Sequence, residues 1–211
     1  WLHGPSHLRD VAPGGWYDCG NHIKEGTTQA YALAVLGSMA TSFPERDADR
    51  TGYNHDSTRV TDGVPDLLRE LKHGADYVVE SWIRSGRSIS GTITTVGNPG
   101  YDLNGWFPAD WVDILPTIRG GQPSRTGFVD TGASVRASFA AGLAFFSKAW
   151  KSRDAGVADE ALDLAKSLYA VAKADPKKLG SSGSYTSAAE SYGALALAAV
   201  ALLAATGETT Y

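Results

Sequence analysis

Apolar residues recur at helical spacing in five blocks along this chain. The first begins near Glu25 or Thr27 and runs to about Ser42, with Ala30, Leu33, Ala34 and Gly37 on one face and Pro44 just beyond its end. The second is the clearest. Thr61-Asp62-Gly63-Val64-Pro65 opens it, and Val64, Leu68, Leu71, Ala75, Val78 and Trp82 form its stripe, with Pro65 suited to a first turn. Val135, Phe139, Gly142, Phe146 and Trp150 mark a third helix, and Val157, Ala161, Leu164 and Leu168 a fourth. The fifth spans Ser184 to Thr206, and its Ala194–Ala205 run is apolar all round. That run is shorter than the ~20 residues needed to span a bilayer, so it predicts a helix buried among other helices.

One stretch alternates instead. Ser88 to Val96 is β-branched and reads as a short hairpin or an edge strand. With so little strand, the pattern predicts an all-α domain of antiparallel helical hairpins. Residues 1–25 are loop-like, broken by Pro5, Pro13 and several glycines, and residues 43–61 form a polar surface loop. Residues 97–127 are irregular and carry Tyr101, Trp106, Phe107 and Trp111. An unstructured segment of that length within one domain is usually functional.

Composition narrows the function without naming it. The 211 residues are 43% hydrophobic and 20% charged with a net charge of -4, an ordinary globular balance with no basic patch to neutralise phosphates. Cys19 is the only cysteine, which excludes an internal disulfide framework and a multi-cysteine metal site. No nucleotide-binding glycine fingerprint is present. Six Trp and nine Tyr are enough to line a groove that stacks on the apolar faces of sugar rings. The chain starts at Trp1, and a mature or trimmed product is expected.

The densest chemistry lies in Gly14-Gly15-Trp16-Tyr17-Asp18-Cys19-Gly20-Asn21-His22-Ile23-Lys24, directly ahead of the first helix. Taken alone, Asp18 and Asn21 are also common turn residues before a helix. The whole stretch, however, resembles the signature Gly-Gly-Trp-Tyr-Asp-Ala-Gly-Asp-His-Val-Lys of glycoside hydrolase family 9, the inverting endoglucanases. Ser6-His7-Leu8 with Asp10, the run Asp62-Gly63-Val64-Pro65-Asp66-Leu67-Leu68-Arg69-Glu70-Leu71-Lys72, and the ending Ala204-Ala205-Thr206-Gly207-Glu208-Thr209-Thr210-Tyr211 are similar to further family stretches in the same order.

The resemblance implies an (α/α)6 barrel of helical hairpins, of which residues 1–211 are an N-terminal portion, with the C-terminal half and its catalytic glutamate outside this chain. It implies a secreted hydrolase of β-1,4-glucan, neither nucleic-acid-bound nor membrane-bound. Inversion uses one carboxylate to activate water and one acid to protonate the leaving oxygen, about 6.5–9.5 Å apart. Carried over by position, Asp18 holds the nucleophilic water and Asn21 stands where the family has its base. An amide can orient water but is not basic enough to take its proton. Asn21 is then an engineered silencing change, a natural substitution in a glucan-binding relative without catalysis, or a sign that Asp18 has taken over as base. Tyr17 and His22 are substrate-contact candidates, with a purely structural histidine as the plainer alternative. Trp106 matches a sugar platform, while Leu103 falls where the family has histidine. The family's calcium stretch, Gly-Ser-Asp-Val-x-x-Glu, corresponds to Gly132-Ala133-Ser134-Val135-Arg136-Ala137-Ser138, where two carboxylates are replaced by serines and a cation is added. No calcium or other cofactor is therefore expected there.

Overall fold

The computed structural model describes residues 12–18, 21–44, 49, 52–53, 59–97, 127–180 and 188–211. Five α-helices occur among them: α1 Gly26–Ser42, α2 Asp66–Arg84, α3 Ala133–Trp150, α4 Ala155–Ala174 and α5 Ala188–Thr206. These are the five blocks read from the apolar spacing. Pro65 caps the start of α2, and Leu71, Ala75, Val78 and Trp82 of its stripe are buried. Asp154 caps α4, its side chain accepting a hydrogen bond from the backbone N–H of Val157 at 3.1 Å.

The helices form two layers. α1, α3 and α5 make a row with α3 at its centre, and α2 and α4 lie behind it, each packed against two members of the row. The middle position explains why α3 is buried on nearly every side, including at Ser134, Arg136 and Ser147, rather than along one stripe. Two glycines let α1 and α3 approach closely. A Cβ on Gly37 would lie 2.7 Å from that of Phe145, and one on Gly142 would lie 2.7 Å from Cγ of Leu33.

α5 departs from expectation. Ala198, Ala201 and Leu202 are buried, but Tyr192, Leu197, Val200 and Leu203 are exposed. At the other end of the row, Tyr31, Val35 and Met39 of α1 form a second exposed apolar line, one helical turn apart. Both outer flanks of the row are thus open.

The strand content is small and differs from the expected hairpin. Ile89–Gly91 is a 3₁₀ turn, and only Thr95–Val96 of the alternating stretch forms a strand. Two further short strands, β1 Gly52–Tyr53 and β2 Arg59–Val60, pair antiparallel within the segment expected to be loop alone. Thr95–Val96, here β3, pairs antiparallel with β4, Gly127–Phe128, in the register Thr95↔Phe128 and Val96↔Gly127. Ser81 of α2 explains why the alternation does not extend upstream: its hydroxyl accepts the backbone N–H of Ile93 at 2.7 Å, tying that residue to a helix instead of a partner strand.

Candidate active site

The glycine-rich stretch before α1 is fastened by both helices of the first hairpin. Gly14 and Gly15 both have φ of 70°, a conformation that favours glycine and turns the chain onto α2. There the N–H of Gly15 donates to the His73 carbonyl at 3.0 Å, and Nε2–H of His73 donates back to the Gly15 carbonyl at 2.8 Å. The indole of Trp16 lies edge-on to the His73 ring, 6.0 Å between centroids, covers Gly74 and donates its Nε1–H to Glu70. From α1, Gln29 accepts the backbone N–H of Trp16 at 2.8 Å and donates its amide to the Trp16 carbonyl.

The loop then closes on itself. The N–H of Asp18 donates to the Ile23 carbonyl at 2.9 Å, and the Asn21 side-chain oxygen accepts the N–H of Ile23 at 2.8 Å. That second bond is an Asx turn, a side chain imitating a backbone turn. The Asp18 carboxylate accepts the Thr28 hydroxyl at 2.8 Å from the first turn of α1. The same hydroxyl lies 3.0 Å from the Glu25 carbonyl oxygen, but a carboxylate is the stronger acceptor for its single proton.

Lys24 leads out of the loop. Its backbone makes a bridge to Val96, with N–H···O distances of 2.7 and 2.9 Å, so the loop exit is paired to β3. Its ammonium donates to the Gly14 carbonyl and sits 5.2 Å from the Tyr17 ring and 5.3 Å from the Tyr77 ring. Tyr77 is fully buried beneath the loop. Burial pushes its phenol well above its ordinary range, and the negative charge of Glu25 and the neighbouring Tyr17 add to the shift.

Of the residues singled out in the sequence, Tyr17, Asp18, Asn21 and His22 fall within this one loop, each half-buried. Trp106 and Leu103 lie outside the described residues, as does Cys19. Thr28, Gln29, Glu70 and His73, which position the loop, were not anticipated. Gln29 alone carried a signal: a polar residue beside Ala30 within a buried helical face, itself 3% exposed.

The Gly132–Ser138 stretch opens α3 next to Asp130, which is buried and accepts the Gly132 N–H at 2.6 Å. The backbone N–H of Asp130 in turn donates to the Thr94 hydroxyl at 2.7 Å. Arg136 is buried in the same region; desolvation lowers its pKa, partly countered by the charge of Asp130. Among the described residues, no three or more His, Cys, Asp or Glu side chains converge as a metal-holding group.

The described residues thus form a mostly helical array with a carboxylate-bearing loop pinned to its first hairpin. The model of glycosyl hydrolase family 9 matches residues 2–211, and the chain belongs to that family. It is 30% identical to Endoglucanase A of Fibrobacter succinogenes over 189 residues, covering 85% of this chain and 40% of that protein. It is 27% identical to an endoglucanase of Phaseolus vulgaris, covering 94% of this chain and 36% of that protein. Among solved structures, the cellulase Cel9M of C. cellulolyticum superposes with a TM-score of 0.72 at 26% identity, covering 100% of this chain and 45% of that one. Endoglucanase CelQ of Clostridium thermocellum, solved with cellotetraose, superposes with a TM-score of 0.70 at 26% identity, covering 98% and 30%. The fold is thus the (α/α)6 type, and this chain spans less than half the length of these relatives.

Proposed function

We propose that residues 1–211 are the N-terminal part of one family 9 catalytic domain, secreted, whose substrate is β-1,4-glucan and whose reaction inverts the anomeric centre. Asp18 positions the nucleophilic water. The observation that carries this is the fixing of its carboxylate, by the Thr28 hydroxyl and by a loop hydrogen-bonded to both α1 and α2. A water-holding group must stay within a fraction of an ångström of its productive position, and fastening of this kind supplies that. Tyr17, His22 and Trp106 contact the sugar. The acid is a glutamate contributed by the remainder of the barrel, which also covers the open apolar flanks of α1 and α5.

Asn21 occupies the position of the base and limits the rate. Its oxygen is committed to the Ile23 N–H, so its free end is an NH2 group, a donor that cannot accept a proton from water. An aspartate would make the same turn with one oxygen and offer the other as base. Asn21→Asp in the full-length protein is expected to raise turnover on soluble β-glucan by about 10²–10⁴-fold. Equal rates before and after would sink the assignment of that position.

The same hydrogen bond favours a second reading, a glucan-binding relative without catalysis, because the loop keeps its shape with asparagine in place. Binding of cello-oligosaccharides with no product even after Asn21→Asp would select it. In neither case does the Gly132–Ser138 stretch fit calcium, since Arg136 adds a buried cation that interacts with Asp130 and the two serines supply no anionic oxygen. A chelator is expected to leave the melting temperature unchanged.

A further inference from the structure

The Gly14–Lys24 loop is closed end to end by one side chain. Lys24, its last residue, sends its ammonium back to the carbonyl of Gly14, its first. The same ammonium lies 5.2 Å from the Tyr17 ring centroid and 5.3 Å from that of Tyr77. Each member of this cluster belongs to a different part of the fold. Tyr77 is a fully buried residue of α2, and its ring lies directly under Gly15, where an added Cβ would come within 3.0 Å of Tyr77 Cγ. The Lys24 backbone is paired with Val96 of β3. Tyr17 is half-buried and immediately precedes Asp18. A lysine only 9% exposed has lost most of its hydration, which oxygen atoms and aromatic faces must replace.

Building on the glucan reading above, we infer that Lys24 is a positioning residue for the substrate: its buried ammonium holds the Tyr17 ring in the orientation that meets a sugar, and it acts on binding through that ring. A cation attracts an aromatic face more strongly once water is excluded, so the contact counts most at a site this buried. A ring free to swing must be ordered when a ligand arrives, and that ordering weakens binding; a ring already held avoids the loss. The rigid floor matters for the same reason. Tyr77 and the Val96 pairing fix the ammonium, so Tyr17 is braced against α2 and β3 and not merely against its own loop. Gln29 holds the backbone of Trp16 and Thr28 holds the carboxylate of Asp18. Lys24 reaches the side chain of the residue between those two.

The test is a double-mutant cycle read by isothermal titration of cellotetraose into the full-length protein. Lys24→Met keeps the length of the side chain and removes its charge, and Tyr17→Leu removes the ring. Lys24→Met is expected to weaken binding about three- to tenfold, the factor that corresponds to ordering one side chain. In the Tyr17→Leu background the same change should weaken it by less than about twofold, because no ring is left to hold. Equal factors in the two backgrounds are the mark of a lysine that serves the fold alone, and they overturn the inference. An unchanged Kd in Lys24→Met also overturns it and leaves the glucan reading intact, whereas absence of binding and of hydrolysis in the wild type overturns both. Should Lys24→Met fail to fold, proton NMR of the wild type decides. The Lys24 ε-methylene resonances are expected to shift when cellotetraose engages Tyr17, and resonances that stay fixed at saturation overturn the inference.

Discussion

Replacing Gln29 by leucine probes how the active loop is held. Leucine fills a similar volume, but the two backbone groups of Trp16 lose their partner in one step: the N–H that Gln29 accepts at 2.8 Å and the carbonyl to which it donates. Each buried group left unpaired costs about 1–3 kcal/mol. Trp16 is half-buried, so water recovers part of that, and the added apolar surface returns about 1 kcal/mol. The net loss is expected at roughly 2–4 kcal/mol. Urea unfolding should show a lower midpoint at unchanged slope, and amide exchange at Trp16 should accelerate well beyond the change at residues inside α1. Gln29→Glu divides the effect, because it keeps the acceptor for the Trp16 N–H and sets a carboxylate against the carbonyl. A stability change below about 0.5 kcal/mol for Gln29→Leu, the range of ordinary surface substitutions, would refute the clamp.

Tyr77→Phe is expected to be neutral or slightly stabilising near neutral pH, because the buried hydroxyl has no partner among the described residues. Its pH signature has a definite sign. With the folded phenol pushed above its ordinary value of 10.0, the unfolded chain loses this proton first, so stability falls as pH rises past 10.0. Tyr77→Phe should flatten that fall in melting curves taken at alkaline pH. Gly142→Ala drives a methyl toward Leu33 and the Ala34 nitrogen, 2.9 Å away, and should cost about 1–3 kcal/mol in denaturant titration. Asp130→Ala unpairs the Gly132 N–H and strips the counter-charge from buried Arg136, for a loss of about 3 kcal/mol by the same method. Arg136→Met should cost less than Asp130→Ala in the same titration, because Asp130 keeps the hydrogen bond from the Gly132 N–H while the change removes a charge that burial disfavours.

Local spacing made the helices legible, since each of the five blocks carried a run of apolar residues long enough to set its own period. The all-round burial of α3 was not visible from Val135, Phe139 and Phe146 alone. It follows from a middle place in the row, and alanine and serine positions reveal that only once neighbours are known. Ser88–Val96 misled for a related reason. β-branching favours a strand, but the partner lies at Gly127–Phe128 and the hydroxyl of Ser81 captures Ile93. At the loop, Asp18, Asn21 and His22 were visible as chemistry within one short motif. Thr28, Glu70 and His73 were not, because they reach the loop across helices whose relative placement no local pattern encodes.

Val96 joins two ladders, pairing with Lys24 on one side and Gly127 on the other. Residues 98–126, which include Trp106, therefore depart and return through one antiparallel pair that also fixes the exit of the active loop. Because Val96 and Gly127 are paired, the two ends of this segment stay side by side whatever its length, next to the exit of the loop that carries Asp18.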